Sequence, residues 1–278
     1  MENVPNVRLN NGVGIPQLGF GVFQVPPEET RAVTLQALEI GYRHIDTAQM
    51  YGNEQGVGQA LADSGLPRDD VFITSKLNNA FHDGDAAVQA FERSMEALGI
   101  EQLDLFLIHW PLPAVDRYVE AWQALEGLYR AGRVRAIGVS NFHQSHLQRL
   151  FDETDMVPAV NQIEVSPYLV QDALRAFCHQ HGIAVEAWSP IARGKVIDDP
   201  VIEAVAAEVG RTPAQVTLRW HVQRGDIVFP KSVRAERMRE NFAIFDFSLD
   251  DAQMAALTGL DAGYRTGPDP DTFNWVGE

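Results

Sequence analysis

Along the chain, short apolar runs rich in β-branched and aromatic residues alternate with longer stretches whose apolar positions recur every three or four residues. The runs "LGFGVF" (18–23), "RHIDTA" (43–48), "VFITSKL" (71–77), "LDLFLIHW" (103–110), "VRAIGVSNF" (134–142), "AVNQIEV" (159–165), "IAVEAWSP" (183–190) and "DIVFPKSV" (226–233) predict eight strands. Between them, "PEETRAVTLQALEIG", "AAVQAFERSMEALG", "VEAWQALEGLYRAG" and "QDALRAFCHQHG" are amphipathic at helical spacing and end in Gly, as helix C-termini often do. Strands alternating with helices imply βαβ units and a parallel sheet. Eight such units in 278 residues, with no linker or low-complexity break, predict one α/β domain, 1–278, built as a (β/α)8 TIM barrel. An Asn-Gly pair between two short runs in "VRLNNGVGIPQLG" predicts an N-terminal β-hairpin ahead of it. "SLDDAQMAALTGL" predicts an extra C-terminal helix, followed by an irregular tail, 261–278. A doubly wound sheet is the alternative, but it needs G-x-G-x-x-G after its first strand. "GVGIPQ" and "GFGVFQ" lack the third glycine, and neither opens a helix.

Composition narrows the partners rather than the fold. With 45% hydrophobic and 22% charged residues the chain can bury a sizeable core. A formal charge of −16 argues against nucleic acid and anionic membrane surfaces. Cys178 is the single cysteine, so no intramolecular disulfide and no thiolate metal cluster is expected. No basic-then-apolar leader opens the chain, and no run reaches the roughly 18 apolar residues of a membrane span. The expectation is a cytoplasmic protein, a monomer, acting on a small molecule.

In such barrels the chemistry sits at the C-terminal ends of the strands. The second strand then delivers Asp46 and, just beyond, Tyr51; the third delivers Lys76, and the fourth His109. Singly, each has a bland reading: a satisfied core histidine, a packing tyrosine, solvated charges. Together that reading weakens, because Asp46 and Lys76 lie on neighbouring apolar strands, and burying either charge alone costs several kcal/mol. A free tyrosine has a pKa of about 10. A lysine held by Asp46 would favour the phenolate and lower that value. Tyr51 then becomes a general acid aimed at an oxygen that gains negative charge, with His109 orienting that oxygen through a ring N–H. A carbonyl accepting a hydride suits this set. No activated Ser or Cys nucleophile, no H-E-x-x-H and no close carboxylate pair is present.

The segments "GYRHIDTAQMYGNE", "ITSKL", "LIHWP", "GVSNF", "VNQIE", "WSP" and "FPKSVRAERMREN", in this order, resemble the aldo-keto reductase superfamily, from about Val7 to Leu260. The closer likeness is to the bacterial 2,5-diketo-D-gluconic acid reductases. The resemblance places the family's catalytic tetrad on Asp46, Tyr51, Lys76 and His109. It implies NADPH (NADP+) as cofactor, with Thr47, Ser140, Asn141 and Gln162 near the nicotinamide and Trp188 stacked on its ring. Ser189 would lie along the pyrophosphate. Lys231, Ser232, Val233, Arg234 and Arg237 would hold the adenosine 2′-phosphate, and Glu240 and Asn241 would lie near the adenine. Four basic residues within nine positions (Lys231, Arg234, Arg237, Arg239) are a local exception in an acidic chain, and the bland reading is a solvated helix face paired with Glu236 and Glu240. Two positions depart from many members: Phe23 and Asn78 stand where tryptophans are common, which implies a more polar pocket wall, while Trp110 is kept.

The implied activity is NADPH-dependent reduction of an aldehyde or ketone, with a keto-sugar acid such as 2,5-diketo-D-gluconate as one candidate. Two rivals are a hydrolase or isomerase on the same barrel and a non-catalytic NADPH-binding sensor or auxiliary subunit. No metal site is expected: His143 and His146 share a helix face but lack a third ligand.

Overall fold

The computed structural model describes residues 4–277, so the ends of the expected domain, 1–3 and 278, lie outside the described residues. Strands β1 (Asn6–Arg8) and β2 (Gly14–Pro16) form the predicted antiparallel hairpin, with Asn6 opposite Pro16. The Asn-Gly pair does not make a two-residue turn. Leu9 N donates to Val13 O, and Gly12, at φ +87°, donates to Leu9 O within a longer loop.

Eight parallel strands follow: β3 (Phe20–Gly21), β4 (His44–Asp46), β5 (Phe72–Leu77), β6 (Leu103–Ile108), β7 (Val134–Ser140), β8 (Val160–Glu164), β9 (Ala184–Trp188) and β10 (Ile227–Val228). Each pairs with its sequence neighbour. The ring closes between the ends: Gly19 N donates to Val228 O at 2.7 Å, and Val228 N donates to Gln17 O at 3.0 Å. The predicted barrel is therefore present, but β3 and β10 are two-residue strands where runs of six and eight were expected. Pro230 has no N–H to extend β10, and the chain after Val22 turns through Val25 N donating to Val22 O.

Helices wrap the outside, among them Pro27–Ile40, Gly84–Leu98, Tyr118–Arg130 and Asp172–Gln180 on the four predicted segments, and Asp251–Thr258 as the extra C-terminal helix. Their ends follow sequence chemistry. Thr212 and Gln215 make a capping box ahead of the helix Pro213–Gln223, and Gly99 and Gly210 end helices in the left-handed region at φ +65°. The outer core is aliphatic and aromatic, with Trp122 and Trp220 fully buried and Phe91 edge-on to Phe106 at 5.2 Å.

Inside the ring the filling changes along the axis. At the hairpin end, Leu9 and Ile15 cluster with Phe72, Leu105, Ala136, Val160 and Ile227. Towards the opposite mouth, the interior holds His44, Asp46, Thr74, Lys76, Gln162 and Glu186, none more than 2% exposed. That is an unusual concentration of polar groups for a barrel interior, which is normally filled by branched apolar residues.

Candidate active site

Asp46 ends β4, and Lys76 sits one residue from the end of β5. These strands are paired neighbours. Lys76 Nζ donates to Asp46 Oδ1 at 2.7 Å, to Asp46 Oδ2 at 2.9 Å, to Thr47 O at 2.8 Å and to Tyr51 Oη at 3.3 Å. Burial opposes the ammonium, but attraction to Asp46 and to Tyr51 outweighs it, so Lys76 is held charged above its ordinary range. Tyr51 follows β4 on a short 3-10 turn, Gln49–Tyr51, where its ring is half-buried and its hydroxyl faces the ammonium. Its ring lies edge-on to His109, with centroids 5.8 Å apart. His109 comes just after β6. Burial, then Lys76 and His82, push its pKa well below the ordinary value, so the imidazole is neutral and carries one N–H.

The four predicted chemical residues thus meet at one point. One expectation needs correcting: Tyr51 is not an acidified phenol here. Burial raises its pKa, Asp46 adds to the rise, and Lys76 offsets only part of it. The ammonium's effect is to stabilise the phenolate once a proton has left, while the resting group stays protonated. That is the state a proton donor needs.

Beside this set lies a second network. Ser140 Oγ donates to Gln162 O at 2.9 Å. Asn141, at φ +65°, donates through Nδ2 to His109 O and Ser140 Oγ, both at 3.0 Å. Left-handed backbone is a conformation that Asn tolerates better than most residues, and here it turns the amide towards β6. Trp188 Nε1 donates to Asn141 Oδ1 at 2.8 Å. Gln162 Nε2 reaches Asp46 Oδ2 at 2.8 Å, tying this network to the ion pair. The carbonyl of Thr47 takes part, but its side chain is spent on Asn53 Oδ1 at 2.9 Å. Ser189 follows with φ +50°.

Lys231, Val233, Arg234 and Arg237 are exposed, whereas Ser232 and Asn241 are buried. The bland reading of this segment, cations paired with Glu236 and Glu240, is not what forms. Glu240 accepts from Thr212 Oγ1 at 2.6 Å, and none of Lys231, Arg234, Arg237 or Arg239 has a carboxylate within reach among the described residues. Three of these unpaired cations, Lys231, Arg234 and Arg237, lie just before or in the first turn of the helix Ala235–Phe242, while Arg239 sits in its last turn; the three suit a multiply charged anion such as a phosphate ester.

At the rim, the predicted Phe23, Asn78 and Trp110 are joined by Asn79 and by tail residues that the sequence did not reveal. Phe23, half exposed, packs on Tyr51 with centroids 5.0 Å apart. Trp110 is covered by Phe273 of the tail at 4.4 Å. Asn79 Nδ2 donates to Trp275 O at 2.8 Å, while Asn78 Oδ1 caps a local turn through Ala80 N. The tail is pinned by Glu164, which accepts from Thr266 N and Oγ1 and from Gly267 N. The expected polar wall is therefore partly aromatic, because Phe273 returns to Trp110 from the far end of the chain, with Trp275 held nearby through its carbonyl. His143 and His146, expected to share a helix face, do lie together. They stack at the start of the helix Gln144–Glu153, and His143 lies near the exposed Asp269 and Asp271, with Arg265 bonded to its other nitrogen.

Comparison with known proteins places this geometry. The Aldo/keto reductase family matches residues 12–262. An aldo-keto reductase of Mycolicibacterium smegmatis is 50% identical over 273 residues, covering 98% of this chain and 99% of that protein. The methylglyoxal reductase DkgA of Yersinia pestis is 49% identical over 275 residues, again covering 98% and 99%. Among solved structures, a point mutant of Gox0644 in complex with NADPH superposes with a TM-score of 0.95 at 44% identity, covering 99% of this chain and all of that one. The chain belongs to the aldo/keto reductase family.

Proposed function

We propose that the protein reduces aldehydes and ketones with NADPH, that Tyr51 donates the proton, and that small α-dicarbonyls are the first substrate class to test. The observation carrying this reading is the contact of Lys76 Nζ with Tyr51 Oη, 3.3 Å, on an ammonium otherwise committed to Asp46 and Thr47 O. When bound, NADPH supplies the hydride. The residues present fit that group: Trp188 offers an indole face, Ser140, Asn141 and Gln162 offer amide and hydroxyl partners beside it, and Lys231, Arg234 and Arg237 offer unpaired cations for a 2′-phosphate.

The chain's own part is to orient the carbonyl and supply a proton. His109, neutral, directs its N–H at the substrate oxygen. As negative charge grows there, Tyr51 gives up its proton, and the phenolate left behind is stabilised by Lys76, itself held charged by Asp46. Phe23, Trp110 and Phe273 wall the approach, with Asn78 the polar member expected beside them.

The substrate class draws on the methylglyoxal reductases among the relatives. A keto-sugar acid is the second member of the same test. NADPH oxidation measured against methylglyoxal, simple aldehydes and 2,5-diketo-D-gluconate should be fastest with the dicarbonyl or the keto-sugar acid. No oxidation with any carbonyl, together with tight NADPH binding, would instead establish the sensor reading.

A further inference from the structure

The tetrad does not exhaust the polar groups inside the barrel. Glu186 lies midway along β9, fully buried, directly beside Gln162 of β8 in the parallel register. Gln162 Nε2 lies 2.8 Å from Glu186 Oε2 and 2.8 Å from Asp46 Oδ2, so one amide group bridges two buried carboxyls. The other oxygen, Oε1, has no hydrogen-bond partner among the described residues; the basic group within 4 Å of it is His44 Nε2 of β4, at 3.8 Å.

The groups facing Glu186 are therefore Gln162 from β8, His44 and Asp46 from β4, and Lys76 from β5, while its β10 neighbour is the apolar Ile227. His44 is driven to a pKa of about 3 by burial, with Lys76 adding to the fall despite the carbonyl of Pro16, and is neutral. That leaves two carboxyls and one ammonium in a space closed to water. With both carboxyls ionised the interior carries a net charge of −1; with Glu186 protonated it is neutral. Burial, reinforced by Asp46, lifts the Glu186 pKa to about 8 although Gln162 and Lys76 pull it down, so the neutral arrangement prevails at pH 7.

We propose that Glu186, acting through Gln162, is a positioning residue of the carbonyl reduction: with its proton on, Asp46 and Lys76 are the one ionised pair behind Tyr51, and with its proton off, turnover falls. The reason is electrostatic. A second negative charge behind Asp46 disfavours the phenolate that Tyr51 becomes on giving up its proton, and it draws the Gln162 amide from the Asp46 side towards Glu186. Glu186 touches neither Tyr51 nor the carbonyl, so it acts only through these neighbours.

This inference rests on the carbonyl-reductase reading, and the test separates the two. NADPH oxidation by the wild-type enzyme at pH 7 comes first, with methylglyoxal, simple aldehydes and 2,5-diketo-D-gluconate; its absence with all of them would overturn the reduction itself, and the best of them is the carbonyl used below. Next, kcat is followed from pH 6 to pH 10 for the wild type, Glu186→Gln and Glu186→Leu. Glutamine copies the protonated carboxyl and keeps the acceptor for Gln162. It should match the wild type within about twofold at pH 7 and hold its kcat at least tenfold better at pH 9.5. Leucine removes the same titration, so it too should lack the alkaline decline near pH 8 while raising the KM for NADPH, because Gln162 loses its partner. A purely structural Glu186 would change stability without moving the pH profile. Identical alkaline limbs in the wild type and whichever variant folds, or a flat wild-type profile to pH 9.5, would overturn the proposal.

Discussion

The pair Asp46–Lys76 decides most of what the site is. Two opposite charges with almost no exposure hold each other in place, and removing one strands the other. Breaking such a pair costs about 3–5 kcal/mol, whereas replacing both partners with uncharged groups of similar size costs far less. Lys76→Met should therefore destabilise the fold by about that amount, and adding Asp46→Asn should recover much of it, as urea unfolding would show; neither variant should turn over substrate. Glu186 gives a second check at this scale. Its pKa is raised in the folded protein, to about 8 from an ordinary 4.5, so between those values the folded state binds more protons than the unfolded. Stability from this group falls as pH rises through that window. The melting temperature of Glu186→Gln should gain on the wild type between pH 5 and pH 9; an unchanged gap would mean the carboxyl titrates normally. Asp46, Lys76 and His109 were legible in the sequence because polar residues stand at the ends of apolar strands, and Tyr51 because it follows one of those ends within a few residues. Glu186 was not: "AVEAW" reads as an ordinary alternating strand, and only the closed ring shows that its glutamate points inward.

Among the elements, the barrel depends on close approaches that a side chain would block. The helix Glu54–Asp63, which follows Tyr51, carries Gly58, and a Cβ built there would run into the backbone of Leu98 at the end of the neighbouring helix. Gly58→Ala should cost about 1–3 kcal/mol and shift that helix with Tyr51 at its head, lowering both the melting temperature and kcat. Strands and helices were readable from periodicity because each buries one face. The lengths of β3 and β10 were not, since residues such as Phe229 and Val233 look strand-like but belong to the rim. The tail was the least legible element. Its sequence has no period, and its place is fixed by distant partners: Glu164 for Thr266 and Gly267, and Trp110 for Phe273. Glu164→Ala should release it, raising KM for the carbonyl several-fold while leaving the melting temperature within a few degrees, because most of these residues are at least partly exposed.

At the scale of the whole molecule, an acidic protein must hold a polyanionic cofactor, and the proposed hold is the one segment where unpaired cations are concentrated. Long-range repulsion from a net charge of −16 is screened by salt, whereas direct contacts to a phosphate are not fully so. Arg234→Ala should therefore weaken NADPH binding about tenfold or more and leave NADH nearly unchanged, as titration by tryptophan quenching would report; equal losses for both would remove the 2′-phosphate assignment. The central claim joins all three scales: a barrel places a phenol against a buried ammonium, beside a cofactor-binding surface, so that the phenol protonates a reduced carbonyl. The most direct test compares wild type and Tyr51→Phe in two measurements, NADPH binding and NADPH oxidation with methylglyoxal. The expected result is binding within about threefold and a loss of turnover of at least about 10²-fold. Turnover retained by Tyr51→Phe, with binding intact, would contradict it.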